Sequence, residues 1–341
     1  MTIDRRAALG GLAAVPLALA GRRAVAAEAD PSSLLNVSYD VSRELFAAIN
    51  PAFVASYAGQ AGRKVEVHQS HGGSSAQARS VLEGLEADVV TLNQVTNVQV
   101  LHDRGGLIGA DWRSRFPNRS SPYYSFPGFL VREGNPLGVR DWPDLARAGV
   151  KVVLPNPKTS GNARYSYLAA TASALEANGG DEAAAAEVVR RILANVPIFD
   201  TGGRGATTTF VERRIGDVLV TFESEMRMIR QQYGDRGFET VTPAVSVKAE
   251  FPVAVIDAVV DRRGSRDLAT AYLGFLYTPE GQEILARFGN RVRDEAVAAR
   301  HAADFPPVRL VTVEDRFGSW EEVTRRHFAE GGVLERLLAR R

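Results

Sequence analysis

Four short turns in this sequence place small residues and bare backbone N–H groups where helices should begin. They are "YDVS" (39–42), "HGGSS" (71–75), "TSGN" (159–162) and "DTGGRGATTT" (200–209). Each follows a strand-like run and opens toward a helical one. The first N–H groups of a helix have no partner within it, and the helix dipole is positive at that end. Glycine lets a backbone come close to whatever it binds. In open α/β sheets such turns lie at the carboxyl ends of strands, where ligands sit. The chemistry this set can perform is the capture of a small anion by uncharged amides.

Magnitudes show which term would dominate. A helix end offers an anion roughly 0.3–1 kcal/mol, rising to about 2 in a partly buried geometry. Each hydrogen bond to a charged group contributes about 1.5–3 kcal/mol, so several N–H bonds outweigh the dipoles. Together they must offset the loss of water around a buried charge. For any one turn the plainer reading is the commoner one: a Ser or Asp caps the helix, and a Gly satisfies the backbone. The case rests on all four turns, two in each half of the chain.

Groups that would make the chain an enzyme are sparse. "GGRGATTTF" lacks the lysine of a phosphate-binding loop, which argues against a nucleotide. Neither H-E-x-x-H nor G-x-S-x-G occurs. His68 and His71 fall three apart at a strand end, where alternation sends them to opposite faces, so no metal site is expected. Glu223 and Glu225 in "TFESEM" leave open a paired-carboxylate acid/base site in an exported hydrolase. An ion pair to a nearby arginine, or a solvated face, is the simpler account. The aromatic stretch "SPYYSFPGF" reads as packing at a junction.

The elements that must position the turns follow an α/β pattern. Strand-like runs are "LLNVSY" (34–39), "KVEVHQS" (64–70), "ADVVTLN" (87–93), "FLVRE" (129–133), "VKVVLPN" (150–156), "VPIFD" (196–200), "DVLVTFE" (217–223) and "FETVTP" (238–243), with helices between most of them. The first helix should bury Leu45, Phe46, Ile49 and Phe53, with Pro51 kinking it or ending its first part. Ser74 and Gln77 are spaced as a capping box. Residues 122–136 and 248–260 read as two crossings between lobes. Lobe 1 would comprise 31–125 plus 250–320 and lobe 2 would comprise 128–246, with a cleft between them and a C-terminal helical segment at 321–341. No internal repeat is visible.

The chain has 341 residues, 45% of them apolar and 24% charged, with 41 Lys+Arg against 40 Asp+Glu. That balance provides no field for a polyanion, which argues against nucleic acid and membrane surfaces as partners. Cysteine is absent, which excludes disulfides, thiol chemistry and cysteine metal sites. Residues 1–26 read as a signal peptide: a charged start, an apolar run from Ala7 to Ala20, and Ala24-Val25-Ala26 as the cleavage site. Arg5-Arg6 suits the twin-arginine route, although Ala7 and Ala8 stand where a bulkier residue is usual, and the export route stays open. Cleavage would also remove Arg22 and Arg23 and leave acids in slight excess.

"LLNVSYDVSRELFAAINPAF", "QSHGGSSAQARSVLEGLEADVVTLNQVT", "NPKTSGNARYSYLAA", "FDTGGRGATTTFVER" and "GDVLVTFESE" closely resemble the periplasmic sulfate/thiosulfate-binding proteins of ABC importers. The likeness runs from about residue 34 through "YTPEGQEI", "EDRFGSW" and "HFAEGG". It implies a two-lobed periplasmic-binding fold (type II), each lobe a mostly parallel sheet flanked by helices. It also implies one thiosulfate or sulfate per monomeric chain, no cofactor, no catalysis, and delivery to a membrane permease driven by a separate ATPase. Another tetrahedral oxyanion such as molybdate is the alternative within the class.

In the sulfate-binding branch the dianion is held by backbone N–H groups, a serine hydroxyl and an indole N–H. The matching positions are the N–H groups of Asp40, Ser74, Gly161, Asn162 and Gly203, and the hydroxyl of Ser160. Arg204 matches an arginine that balances charge near the site without touching the anion. One position departs: Phe222 stands where the sulfate branch has its indole, and it has no donor to offer. "FESEM", "GNARYSYLAA", "NQVTNVQVLHDRG" and "TGGRGATTTF" resemble the thiosulfate-binding branch instead. An apolar wall at Phe222 would suit the larger, softer terminal sulfur of thiosulfate.

Overall fold

The computed structural model describes residues 32–234 and 237–340. The expected signal peptide, 1–26, lies outside the described residues. Apolar runs bounded by turn residues become the strands of two main sheets. In the first, Ser33–Tyr39 pairs in parallel with Glu66–Gly72 on one side and Val89–Thr91 on the other. Val253–Val255 then adds antiparallel to Val89–Thr91. In the second, Val152–Pro155 lies between Phe199–Asp200 and Val218–Phe222, parallel to both. Pro127–Arg132 joins antiparallel to Val218–Phe222, and Phe238–Val241 closes the edge.

The two sheets thus share one plan. Their parallel strands run in the spatial order second, first, third, with an antiparallel strand beside the third. The carboxyl ends of the parallel strands lead into residues 40, 73 and 93 in one sheet and 156, 201 and 223 in the other. This plan leaves no trace as a sequence repeat, because burial asks only for apolar residues at given positions, not for the same ones.

The expected crossing segments lie side by side, with Tyr124 and Ser125 paired antiparallel to Glu250 and Ala249. The aromatic stretch packs there: Tyr123 is fully buried, its ring edge-on to Phe251 at 5.1 Å. Strand Arg309–Val311 pairs with Val245–Val247, and the helices after it close over the helix Gly161–Ala177.

Most strands appear within two residues of the expected runs. Helix Arg43–Ala61 continues through Pro51, so the proline does not end its first part. Pro51 is exposed, and the buried Leu45, Phe46, Ile49 and Phe53 flank it. The missing N–H removes one helical bond. Burial on both sides outweighs that loss, since each large apolar side chain contributes about 1.5–3 kcal/mol.

Candidate functional site

The sheets bring the four turns together, with a fifth among them. In the first half, Tyr39 leads into Asp40, whose carboxylate accepts from Val41 N at 3.1 Å and reaches Arg204 N, on the other sheet's turn, at 3.4 Å. Gly202 meets the same carboxylate. A Cβ at Gly202 would lie 2.7 Å from Asp40 Oδ2, so only glycine allows this approach without a shift. Gly203 comes close to Val41, Asn162 and Glu225: a Cβ there would be 3.2 Å from Val41 Cγ1 and 3.4 Å from Glu225 Oε2. Burial raises the Asp40 pKa, opposed by the N–H groups of Arg204 and Val41.

The other junction joins the second and third turns. Ser74 Oγ accepts from Asn93 N at 3.1 Å, and a Cβ on Gly161 would stand 2.3 Å from Asn93 Oδ1. Asn93 and Gln94 form the turn between strand Val89–Thr91 and helix Val95–Asp103. Sequence reasoning passed over this turn, although "ADVVTLN" ends on the same strand-to-helix pattern as the other four. Asn93 Oδ1 and Gln94 Nε2 are buried without a hydrogen-bond partner, so polar groups of both kinds face this junction.

The proposed donors sit where helices cannot satisfy them. Gly161 and Asn162 open helix Gly161–Ala177, Ser74 opens Ser74–Leu82, and Gly203 opens Gly203–Thr207. Ser160 is the cap of its helix, accepting from Ala163 N at 3.4 Å; its hydroxyl hydrogen stays available to a second partner. The capping box expected of Ser74 and Gln77 does not form. Gly73 takes the cap position, Ser74 turns to Asn93, and Gln77 Nε2 donates to Ser70 Oγ at 3.0 Å and Ser38 O at 3.2 Å. Cross-strand partners outcompete the local motif because they also satisfy buried groups of the neighbouring strands.

Three cations near these turns have protein partners of their own. Arg204 Nη2 pairs with Glu44 Oε1 at 3.0 Å. Lys158 Nζ bonds Glu335 Oε1 at 2.6 Å and Phe328 O at 2.8 Å. Arg164 Nε donates to Pro157 O at 3.0 Å and its Nη1 reaches Gln94 Oε1 of the fifth turn at 3.5 Å, with the guanidinium lying over the Phe328 ring. Phe222 is fully buried at the end of strand Val218–Phe222, with the Phe251 ring at 5.1 Å and the Tyr165 ring at 6.1 Å.

Glu223 and Glu225 have separate partners. Glu223 forms a bidentate pair with Arg291, at 2.7 and 2.9 Å. Burial raises its pKa while Arg291 opposes the shift. Glu225 is buried among donors: Thr207 Oγ1 at 2.6 Å, Thr221 Oγ1, and Asn162 Nδ2 at 3.4 Å. Burial pushes its pKa up to about 7 against those hydrogen bonds. His71 Nδ1 lies 3.3 Å from Tyr39 O, whereas His68 lies beside Glu66, so the two histidines do not share a site. Among the described residues, no group of three or more His, Cys, Asp or Glu could hold a metal ion.

Two halves of like topology, meeting at the amide-rich ends of their strands, define a two-lobed ligand-binding protein that encloses a small solute. The chain belongs to the bacterial extracellular solute-binding proteins: that family's profile matches residues 35–291. It is 54% identical to the thiosulfate-binding protein of Escherichia coli K12, over 95% of this chain and 96% of that one. It is 47% identical to the sulfate-binding protein of the same organism, over 90% and 93%. Among solved structures, the sulfate-binding protein SubI from Mycobacterium tuberculosis H37Rv superposes with a TM-score of 0.79 at 34% identity, covering 87% of this chain and 100% of that one. These relatives are named for binding rather than for catalysis.

Proposed function

We propose that this chain captures thiosulfate or sulfate outside the cytoplasm and delivers it to the membrane permease of an ABC importer, without chemistry of its own. The observation that carries the reading is the convergence of uncharged donors. The N–H groups of Asp40, Ser74, Gly161, Asn162 and Gly203 and the hydroxyl of Ser160 belong to turns in mutual contact, while Arg204 pairs with Glu44 and Lys158 with Glu335. Amides then replace water around a doubly negative guest, and Arg204 balances charge through the turn it belongs to.

Phe222 favours thiosulfate within this pair: its ring supplies an apolar wall and no donor. Relatives named for thiosulfate and for sulfate support the class equally. The same reading divides the chain into lobes at 31–125 plus 250–320 and 128–246. It has the protein exported to the periplasm by cleavage of residues 1–26, acting as a monomer on permease subunits with a separate ATPase. Closure follows because each lobe alone satisfies only part of the anion.

The donors named above offer no acceptor to phosphate, which near neutral pH keeps a proton needing one, and Asn93 Oδ1, an unpartnered acceptor beside them, faces Gly161. Leaving that proton unpaired costs about 1–3 kcal/mol. The carboxyl of Glu225, a conceivable acceptor, already receives Thr207, Thr221 and Asn162. Titration calorimetry with sodium thiosulfate, sulfate, phosphate and molybdate on the desalted mature protein tests the reading. Tight binding of either sulfur anion with weak binding of phosphate is expected. Equal competition by phosphate, or a preference for molybdate, would overturn it, and turnover of a glycoside or ester would favour a hydrolase built on Glu223 or Glu225.

A further inference from the structure

We propose that Glu225 is a positioning residue of the anion site, holding in register three elements that supply or back its donors. This rests on the anion-binding reading above. Thr207 comes from helix Gly203–Thr207, whose first residue offers the Gly203 N–H. Asn162 comes from the opening of helix Gly161–Ala177, where its own N–H faces the site. Thr221 precedes Phe222 on strand Val218–Phe222. All three side chains end on one buried carboxyl, and Asn162 Nδ2 also donates to Thr221 Oγ1 at 2.8 Å. The local sequence does not require this meeting, since 162, 207 and 225 are distant along the chain.

The physical reason lies in pre-organisation. Donors held at fixed positions before the anion arrives need no ordering when it binds, and that saving appears as affinity. Helix Gly203–Thr207 opens on glycine and passes at Thr208 into the π-helical turn Thr208–Glu212, so one regular helix does not set its register. The Thr207–Glu225 bond ties the point where the two meet to helix Glu223–Tyr233, which follows the strand that carries Phe222. Glu225 Oε2 also lies close beneath Gly203 itself, 3.4 Å from where a Cβ would stand. The carboxyl's charged neighbours are Asp40, which raises its pKa, and Arg204, which lowers it; Tyr39 faces it as well. Glu223, on the same helix, is taken by Arg291. Glu225 therefore meets the donors of the second sheet and, through Asp40 and Tyr39, the first.

The test is the thiosulfate and sulfate affinity of Glu225→Ala, Glu225→Gln and Thr207→Val, measured by calorimetry at a temperature well below each variant's melting midpoint. There, lost stability alone leaves the folded protein's affinity unchanged. Glu225→Ala should weaken binding by roughly tenfold or more. Glu225→Gln, which keeps the shape and an acceptor for Thr207, should recover most of that loss. Thr207→Val should weaken binding about threefold or more, and adding it to Glu225→Ala should cost little further, because both remove one contact. Should Glu225→Ala fail to fold, Thr207→Val carries the test by itself. A loss of less than threefold in Thr207→Val, or losses that multiply in the double variant, would overturn the proposal. If the parent protein binds neither anion, it is the anion-binding reading that falls.

Discussion

Gly161 and Asn93 stand in direct opposition: a Cβ on the glycine would lie 2.3 Å from the asparagine Oδ1, far inside contact distance. One residue opens a helix that follows a strand of the second sheet and the other lies in the turn after strand Val89–Thr91 of the first, so their approach measures how closely the two sets of turns face each other. Asn93 is buried and cannot swing freely into solvent.

Gly161→Ala should therefore obstruct this face-to-face arrangement. The glycine's backbone is helical, so alanine meets no local strain, and the atoms nearest its Cβ belong to Asn93 and Gln94. Overpacking of this kind costs about 1–3 kcal/mol. If it acts on the closed arrangement, anion affinity falls roughly ten- to a hundredfold. Adding Asn93→Ala should restore part of the loss, as calorimetry on the single and double variants would register.

Ser160→Ala separates the cap from the donor. Losing the bond from Ala163 N costs about 1 kcal/mol of stability, visible as a lower melting point without anion. Losing a hydroxyl donor to a dianion costs about 1.5–3 kcal/mol of binding, roughly a ten- to hundredfold weaker affinity. A melting shift with affinity altered less than twofold would leave Ser160 as a cap alone.

Phe222→Trp introduces an indole N–H at a position walled by Tyr165 and Phe251. The added volume should lower the melting point, by an overpacking cost of about 1–3 kcal/mol. The ratio of sulfate to thiosulfate affinity should rise, because sulfate gains a donor and thiosulfate loses its apolar neighbour. An unchanged ratio in parallel titrations would refute a role for Phe222 in choosing the anion.

Glu225 makes stability fall with rising pH. Burial lifts its pKa from the ordinary 4.5 to about 7, so the folded state binds this proton more tightly than the unfolded one. Its contribution is fully present below pH 4.5 and is lost as pH rises through 7, amounting in all to something on the order of 3 kcal/mol. Relative to Glu225→Gln, the parent should lose melting temperature across that window. A difference that stays constant from pH 4.5 to pH 8 would show that the carboxyl titrates normally.

Legibility in the sequence followed the range of the interaction. The strands and the face of helix Arg43–Ala61 were readable because their apolar spacing is local. So were the turns as a set, since each alone reads as a helix cap and only their recurrence in both halves points to a ligand. Pro51 does not end the helix, because its penalty is local while the burial that overrides it is tertiary. The pair Ser74 and Gln77 misled for the same reason, as each found a better partner on a neighbouring strand. The Asn93–Gln94 turn was missed for want of a glycine, and its importance shows only in its contact with Gly161.

The sequence by itself determined the α/β alternation, the near-neutral charge that argues against polyanions, and the small residues whose N–H groups remain free at helix starts. It also carried the resemblance that named a class of guest. Only the tertiary structure decided that the turns of residues 40, 74, 93, 161 and 203 meet, that Arg204 turns to Glu44 and Glu223 to Arg291, and that Glu225 gathers Thr207, Thr221 and Asn162. Hydrogen-bond capacity is a property of each residue and can be read one position at a time. Which capacities are spent on one another depends on strand order, and that order is settled by how two sheets bury their faces.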